Sequence, residues 1–446
     1  MTTLSKRPAL AIVIIFVVVH LASWAFGGDQ KDRRYSAAVS LGARLFADDG
    51  FSAPNGDFRN SCKSCHLLDD DPQGLRAHTE FLNRSWVPWR TEDPRRSAAR
   101  NAPTLLDTAH MPRLHFDGEF KSLEELVKGT LAGRPMGWLP GEQSQAFDRI
   151  YGVVMGPAYR DRFKKAYGID LERQSRDDVI NWTATALSDY LRSLKTERNA
   201  AYDSFVSINA LETGPREGEP VRAFAERMIA RVSALEAKRE LKLPRGFDAS
   251  ALEGMKIFFR TEGAASAGNC VACHVPPLFT DFTFHNIGVS QSQYDDVHGE
   301  GSFAALKIPD AASAVRPSAQ FREPPSAQKP GDVDLGYWNF VELRSPSRPQ
   351  AESEDQLLRR AIAAFKTPTL RNLAFTNPYM HDGEFATLES ALAEVMRMST
   401  LARAGRVREA DGELGRIRIA EADIPYLAAF LNTLNEDFKR APRPGK

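Results

Sequence analysis

The sequence predicts an all-α protein made of two related helical domains with long loops. Two stretches match without a gap at an offset of 265 residues, PTLLDTAHMPRLHFDGEFKSLEEL from Pro103 and PTLRNLAFTNPYMHDGEFATLESA from Pro368. Each half also closes with apolar residues at helical spacing, over 179–194 in the first half and 419–434 in the second. Internal repetition of this kind indicates two copies of one structural unit.

Length and charge limit the classes of protein to which the chain could belong. The 446 residues are enough for two domains. Its 58 basic residues balance 58 acidic ones. A net charge of zero argues against nucleic acid or an anionic surface as the main partner.

The N-terminus has the pattern of an export signal. Lys6 and Arg7 precede an apolar run from Ala9 to Phe26, and Ser23-Trp24-Ala25 provides small residues for cleavage. We predict that residues 1–25 are a signal peptide, with an uncleaved N-terminal anchor as the alternative. Either prediction places the rest of the chain in the periplasm, free or anchored to the inner membrane.

All four cysteines lie in two pentads of the same form, CKSCH at 62–66 and CVACH at 270–274. Two thiols three residues apart lie on one helical turn, where each can form a thioether with a haem vinyl group while the histidine faces the iron. A redox-active CxxC or a zinc site made by all four cysteines would leave the repeated histidines unexplained. The pattern therefore predicts two covalently bound haem c groups. Their attachment and iron-binding residues are Cys62, Cys65 and His66 for the first, and Cys270, Cys273 and His274 for the second.

The repeat and the pentads divide the exported chain into two domains. We expect a first haem domain over 26–200, a linker with a connecting helix over 201–250, and a second haem domain over 251–446. The second domain carries an insertion at about 290–355, rich in Pro, Ser, Gln and Asp. We predict a long surface loop there, over a haem edge or a partner site, with a disordered insertion as the alternative.

The segments 254–288 and 365–388 resemble the bacterial di-haem cytochrome c peroxidase and MauG family, and 41–194 resembles it more weakly. This resemblance implies one haem per domain, the first meeting hydrogen peroxide and the second passing electrons, with a calcium ion between them. The implied calcium ligands are the Asn101 side chain and the backbone carbonyls of Thr376 and Pro378, which suit a hard cation.

The resemblance also implies a sixth ligand for the second haem, a Met in peroxidases and a Tyr in the MauG branch, about fourteen residues after the histidine of HDG. We assign it to Met396, with Met398 as the alternative, although Met also commonly fills cores. His381 resembles the histidine beside this haem. Arg371 and His285 are expected to contact a haem propionate or a loop.

The first half departs from the peroxidase pattern. It has Phe116, Leu126 and Met136 where the family has Trp, Gln and Glu, so the residues that carry electrons and handle peroxide are missing. The group that shifts a proton must come from elsewhere. The candidates nearby in sequence are Glu119, Glu124, Glu125, His115 and Glu142, of which we predict Glu124, Glu125 and His115 as catalytic residues. The two glutamates also fit a solvated helix face. Alternatively, the first haem is capped by one of four residues, His78, His110, His115 or Met136.

Three functions fit this pattern. The first is reduction of hydrogen peroxide with electrons from a small cytochrome c or a cupredoxin. The second is MauG-like oxidation of aromatic residues in a partner protein. The third is non-catalytic electron transfer, which the loss of the Gln and Glu would favour. The resemblance also suggests a homodimer.

Overall fold

The structure, a computed structural model, describes residues 36–54, 59–66, 99–344 and 352–436. The predicted signal segment and His78 lie outside these residues. Within them, no helix is both long and apolar enough to cross a membrane.

The fold is helical, with one small antiparallel pair of strands. The strands are β1 (Phe284–His285) and β2 (Phe365–Lys366). The helices are α1 (Ala37–Phe46), α2 (Leu123–Leu131), α3 (Gln143–Val154), α4 (Pro157–Tyr167), α5 (Arg176–Ser193), α6 (Ala201–Ile208), α7 (Val221–Ala237), α8 (Ala249–Phe259), α9 (Val289–His298), α10 (Ser302–Ala305), α11 (Glu354–Arg360), α12 (Leu388–Arg403) and α13 (Ile424–Asn432).

The first half is built around the crossing of α1 and α5. A Cβ atom added to Gly42 would lie 2.1 Å from the carbonyl oxygen of Ala186, so only glycine allows the two backbones to approach this closely. Serine caps begin both helices: the Ser36 side chain accepts a hydrogen bond from Val39 N, and Ser175 accepts one from Asp178 N. The apolar faces of α1 to α5 form one core beside the first pentad.

The second half repeats this crossing with α8 and α13. Here a Cβ on Gly254 would lie 1.8 Å from the carbonyl oxygen of Tyr426. The core around the crossing is aromatic, with Phe258 and Phe430 at a centroid distance of 5.1 Å. Both halves therefore pack the helix that precedes the pentad against the closing helix, and the match of 179–194 with 419–434 reflects this packing.

The segment 201–250 differs from the expected linker. Tyr202 and Phe205 of α6 and Phe224 of α7 are fully buried in the core of the second half. Charged residues separate these apolar residues, so the apolar face of the two helices was not recognised from the sequence. The segment thus packs as part of the second half.

The repeat found in the sequence is also present in three dimensions. The short turns Thr108–His110 and Leu373–Phe375 occupy equivalent positions, each preceded by a residue with left-handed backbone, Asp107 at φ 58° and Asn372 at φ 66°. The isolated bridges Leu114–Phe120 and Tyr379–Phe385 keep the same offset, and so do the first residues of α2 and α12.

The insertion differs from the expected surface loop because it has a core of its own. Phe303, Trp338 and Leu335 are fully buried within it, together with Val333. The core is assembled from short turns distant in sequence, so no helical or strand period is visible along 290–341. Ion pairs attach the insertion to the first half, including Arg134–Glu323 at 3.1 Å.

Candidate functional site

Each pentad forms the same short helical turn. Cys62–Ser64 and Cys270–Ala272 are 3₁₀ turns, and the histidine that follows donates its backbone N–H to the carbonyl of the first cysteine, at 3.0 Å in the first half and 2.9 Å in the second. The four thiols are free. The turn holds both thiols and the histidine of each pentad in one local arrangement.

The pentad histidines are partly buried and suited to binding a metal. Burial lowers the pKa of His66 to about 4 and also lowers that of His274. Both are therefore neutral near pH 7, with a lone pair available. His274 Nδ1 lies 3.0 Å from the carbonyl oxygen of Phe279. Such a hydrogen bond fixes the tautomer and leaves Nε2 for iron. The buried Nδ1 of His66 has no hydrogen-bond partner within the described residues.

The thiols do not have the properties of a reactive or zinc-binding pair. Burial raises the pKa of Cys62 and of Cys270 to about 12, and it also raises that of Cys273. A reactive or metal-binding cysteine needs its thiolate, which this environment disfavours. Among the described residues, the cysteines of the two pentads do not come together in one ligand cluster. Partly buried, neutral thiols and histidines fit covalent haem c better than either alternative.

The two candidate sixth ligands on α12 lie in different surroundings. Met396 packs against the core of the second half, where Cys270 also packs. Met398 is 1 % exposed and belongs to a separate small cluster with Val407 and Leu414. Of the two, only Met396 shares a cluster with the pentad, so Met396 stays the prediction.

The other residues predicted near the second haem have defined partners. His381 is buried and stacks on Phe365 at a centroid distance of 3.6 Å. Arg371 donates two hydrogen bonds to the carboxylate of Asp203 and one to the carbonyl oxygen of Pro277. Of its two expected contacts, Arg371 thus makes the loop contact, because Pro277 lies in the loop that follows the pentad.

His285 joins the pentad to two carboxylates. Its Nε2 lies 2.9 Å from Asp281 Oδ2 and its Nδ1 lies 2.7 Å from Asp411 Oδ2. Burial by itself would lower the pKa of His285, but the hydrogen bonds to both carboxylates and to Cys273 raise it to about 12. The resulting imidazolium lies beside the Cys273 thiol, at the place where a thioether would form. His285 therefore contacts the attachment edge of the second site, and its charge is compensated by both aspartates.

The three residues predicted to bind calcium lie where the two halves meet. Asn101 is buried, and its side-chain amide nitrogen lies 2.6 Å from the carbonyl oxygen of Pro378. Thr376 is also buried, two residues before Pro378. Asn101 Oδ1 accepts a 3.0 Å hydrogen bond from the Ala102 backbone N–H. Turning the amide over would give up this bond but would direct two oxygens to one point, as a hard cation requires. The donor set fits Ca²⁺, and calcium at this position stays a prediction.

In the first half, His115 belongs to an acidic and basic cluster. His115 Nδ1 lies 3.3 Å from Glu119 Oε2, and the same oxygen accepts a 2.7 Å hydrogen bond from Arg322 of the insertion. Burial alone would raise the pKa of Glu119, but the hydrogen bond with His115 and the charge of Arg322 hold it below its usual value. An ionised carboxylate beside an imidazole can hold and pass a proton.

Glu124 and Glu125 lie apart from this cluster, in the first turn of α2. Glu124 forms a 2.6 Å ion pair with Arg192 of α5. Glu125 accepts a 3.1 Å hydrogen bond from the backbone N–H of Lys121. These are the contacts of a solvated helix face, where acidic side chains also favour the N-terminal end of a helix.

Three of the four residues considered as caps of the first haem are described. His110 is exposed, at the end of the turn Thr108–His110 within the repeat. His115 is engaged by Glu119, and its ring meets that of Phe120 edge to face at 4.8 Å. Met136 is 2 % exposed within the core of the first half. Leu126 packs against that core as well.

A cavity of about 560 Å³ lies where the insertion meets the second half. Phe284 of β1 and Tyr337 of the insertion stack in its wall at a centroid distance of 4.0 Å. His285 and Asp411 line the same cavity. The insertion thus covers the side of the second half on which His285 contacts the pentad.

The duplicated helical fold and the two pentads are typical of di-haem c-type oxidoreductases. Residues 36–210 match the family model of di-haem cytochrome c peroxidase. The chain is 26% identical to cytochrome-c peroxidase IdrP2 of Pseudomonas sp. (strain SCT) over 416 residues, which cover 92% of this chain and 84% of that protein. It is 22% identical to the methylamine utilization protein MauG of Methylophilus methylotrophus over 402 residues, 89% of this chain and 82% of MauG. The chain is thus similar to di-haem cytochrome c peroxidases and to MauG proteins, a family that implies two haem c groups.

A comparison of structures supports the fold. The crystal structure of the diheme peroxidase BthA from Burkholderia thailandensis aligns with a TM-score of 0.54, at 20% sequence identity, over 92% of this chain and 89% of that chain. The two proteins share the same helical architecture.

Sequence reasoning missed several residues that join the two halves. They include Arg322 and Asp334 of the insertion and Lys366 of β2. The insertion carried no recognisable signal. Lys366, in contrast, lies 265 residues after Asn101, so the repeat could have identified it as the counterpart of a candidate ligand.

Proposed function

We propose that the protein is a periplasmic peroxidase that reduces hydrogen peroxide to water, taking electrons singly from a small cytochrome c or a cupredoxin. The reaction consumes two electrons and two protons for each peroxide and yields two water molecules. Two haem groups suit it because such donors deliver one electron at a time. Haem, when bound at the two pentads, supplies the iron that stores electrons and binds peroxide.

The main support for this proposal is a difference between the two halves at the residue predicted to be the sixth ligand. Helices α2 and α12 begin at equivalent residues of the repeat, and Leu131 in α2 is the counterpart of Met396 in α12. Leu131 is 2 % exposed in the core of the first half. Leucine offers no donor atom to iron, whereas the thioether of methionine does. At the equivalent place, the first site therefore lacks a ligand of the kind that we predict for the second site, which favours an open position for peroxide.

The chain also offers a group that can handle protons on the side of the first half. The pair formed by His115 and Glu119 combines a neutral or charged imidazole with an ionised carboxylate, and Arg322 fixes the carboxylate. We propose His115 as the residue that moves the proton and Glu119 as the residue that positions it. Glu124 and Glu125 are weaker candidates because Arg192 and the Lys121 backbone already engage them.

The test is a spectrum of the ferric holoprotein, produced in a host that assembles c-type cytochromes. We expect one high-spin and one low-spin haem, a shift of the Soret band on addition of peroxide, and steady turnover with reduced cytochrome c. A protein with no high-spin fraction and no peroxide-induced shift would instead be an electron carrier.

A matched pair of variants tests the asymmetry itself. Met396→Leu should remove the low-spin signal of methionine ligation, and Leu131→Met should convert the high-spin haem to low spin and slow peroxide binding. Leu171→Met is the control, because Leu171 is equally buried but lies in the turn before α5. If Leu131→Met behaves like this control, the proposed correspondence between the two sites is wrong.

MauG-like oxidation of a partner protein is the second candidate. The stretches TFHNIG and PYMHDG favour it, and relatives named MauG match most of the chain. The methionine at the proposed sixth position favours peroxide reduction instead. The absence of Trp at Phe116 fits the MauG branch less well, but it also departs from the peroxidase pattern and so does not separate the two functions. A mass change in aromatic residues of a co-expressed neighbouring protein, without turnover of reduced cytochrome c, would support the MauG-like function.

A further inference from the structure

Two backbone hydrogen bonds join the halves in a reciprocal way. The N–H of Asn101 donates to the carbonyl of His381, and the N–H of Lys366 donates to the carbonyl of Phe116, each at 2.8 Å. Asn101 and Lys366 are equivalent residues of the repeat, and so are Phe116 and His381. In each half, the same residue of the repeat therefore donates its backbone N–H to the same turn of the other half.

The side chains of Asn101 and Lys366 also contact equivalent residues of the other half. The Asn101 amide lies 2.6 Å from the carbonyl oxygen of Pro378. The Lys366 Nζ atom donates a 2.9 Å hydrogen bond to the carbonyl of Arg113, which is the counterpart of Pro378. Nζ also lies 3.3 Å from the sulfur of Met111, which is the counterpart of Thr376. The tip of Lys366 thus contacts the counterparts of Pro378 and Thr376, through the equivalent backbone carbonyl in the first case and through a side-chain sulfur in the second.

The surroundings of Lys366 are those of a bound cation. The residue is 7 % exposed, and Asp117, which is fully buried, is the acidic group that acts on it. Burial lowers the pKa of Lys366 to about 8, against the opposing effect of Asp117. An ammonium group and a hard divalent cation both seek oxygen ligands in such a site. At the other position, the neutral amide of Asn101 brings no charge of its own.

We propose that the halves are joined by two equivalent cation sites, in which Asn101 helps to hold a divalent cation such as Ca²⁺ while the Lys366 ammonium replaces the cation in the second. It follows that exchanging the two side-chain types should move or remove the bound metal. This inference uses the predicted calcium site but not the peroxidase reaction, so turnover of peroxide plays no part in its test.

The test is a count of bound metal on the holoprotein, after equilibration with Ca²⁺ and removal of free ion. We expect about one Ca²⁺ per chain in the wild type, about two in Lys366→Asn and none in Asn101→Lys. Lys329→Asn is the control, because Lys329 is exposed and its nearest charged partner, Asp332, is 4.0 Å away. Terbium luminescence, titrated on the same proteins, gives an independent count.

A second measurement covers the case in which Lys366→Asn folds poorly. Thermal unfolding is followed with and without a chelator. The Asn101→Lys variant should lose the chelator sensitivity of the wild type, because its cation is the ammonium group of the lysine side chain, which a chelator cannot remove. The proposal is overturned if the wild type binds no Ca²⁺, if folded Lys366→Asn binds the same number as the wild type, or if Asn101→Lys still responds to the chelator.

Discussion

Replacing Arg371 by methionine should destabilise the second half and disturb its pentad loop. Arg371 is 2 % exposed and connects three parts of the chain: β2 and its following loop, Asp203 of α6, and Pro277. Methionine fills much of the same volume but has neither charge nor donors. The Asp203 carboxylate would keep only its 3.0 Å hydrogen bond from Ala200 N.

The size of the effect follows from the burial of the pair. Removing one partner of a buried ion pair costs about 3–5 kcal/mol, since the remaining charge stays desolvated and unpaired. For a domain of 150–250 residues, this corresponds to a decrease of roughly 6–20 °C in the melting temperature. An exposed pair contributes at most about 1 kcal/mol, and Arg216–Glu212 provides that comparison.

The assay is thermal and denaturant unfolding of the holoprotein for Arg371→Met, Asp203→Asn and the double variant. We expect the double variant to be more stable than the sum of the single losses predicts, because each single change leaves an unpaired group. Arg371→Lys should recover only part of the stability, as a lysine cannot reproduce the two parallel hydrogen bonds to the carboxylate. A loss below about 1 kcal/mol in Arg371→Met, equal to that in Arg216→Met, would refute the reasoning.

Three further predictions concern the second half. Met396→Leu should raise the high-spin fraction in the electron paramagnetic resonance spectrum and lower the reduction potential of one haem; an unchanged spectrum would exclude Met396 as a ligand. Gly254→Val should lower the melting temperature by more than about 10 °C, because a Cβ there would overlap the Tyr426 carbonyl; Gly152→Val, where the added atom meets nothing within 4 Å, is the control. For His285, the pKa is about 12 in the folded protein against 6.5 in the unfolded chain, so the free energy of unfolding should fall as pH rises above about 7, by up to about 1.4 kcal/mol per pH unit. His285→Gln should flatten this fall in denaturant titrations at several pH values, and a parallel curve would contradict the assignment.

The predictable part of the candidate site is the part encoded locally. The pentads fold into the same turn in both halves because two cysteines and a histidine within five residues need no distant contact to share a turn. The repeat from Pro103 and Pro368 was equally informative, since its left-handed positions and bridges recur at the same offset. Local sequence could therefore identify the haem-binding turns and the order of helices around them.

The interface between the halves could not be predicted in the same way. Arg100 pairs with Asp334 at 2.6 Å across 234 residues, and Arg322 reaches Glu119 across 203. Whether a given charged side chain is solvated or buried depends on which distant segment covers it. Glu124 and Glu119 illustrate this, because both are acidic residues near the same turn, yet only Glu119 receives an arginine from the insertion.

By itself, the sequence determined that the chain is a duplicated helical protein with two pentads of the kind that attaches haem c, because short-range spacing and internal repetition are visible without coordinates. Only the tertiary structure decided that residues 201–250 belong to the second half, that the insertion has its own core, and that Met396 rather than Met398 shares a cluster with the pentad. It also decided which atoms Lys366 contacts, because its Nζ donates to the carbonyl of Arg113 in the other half. These features depend on packing between segments far apart in the chain, where burial and charge pairing are set by the approach of the two halves.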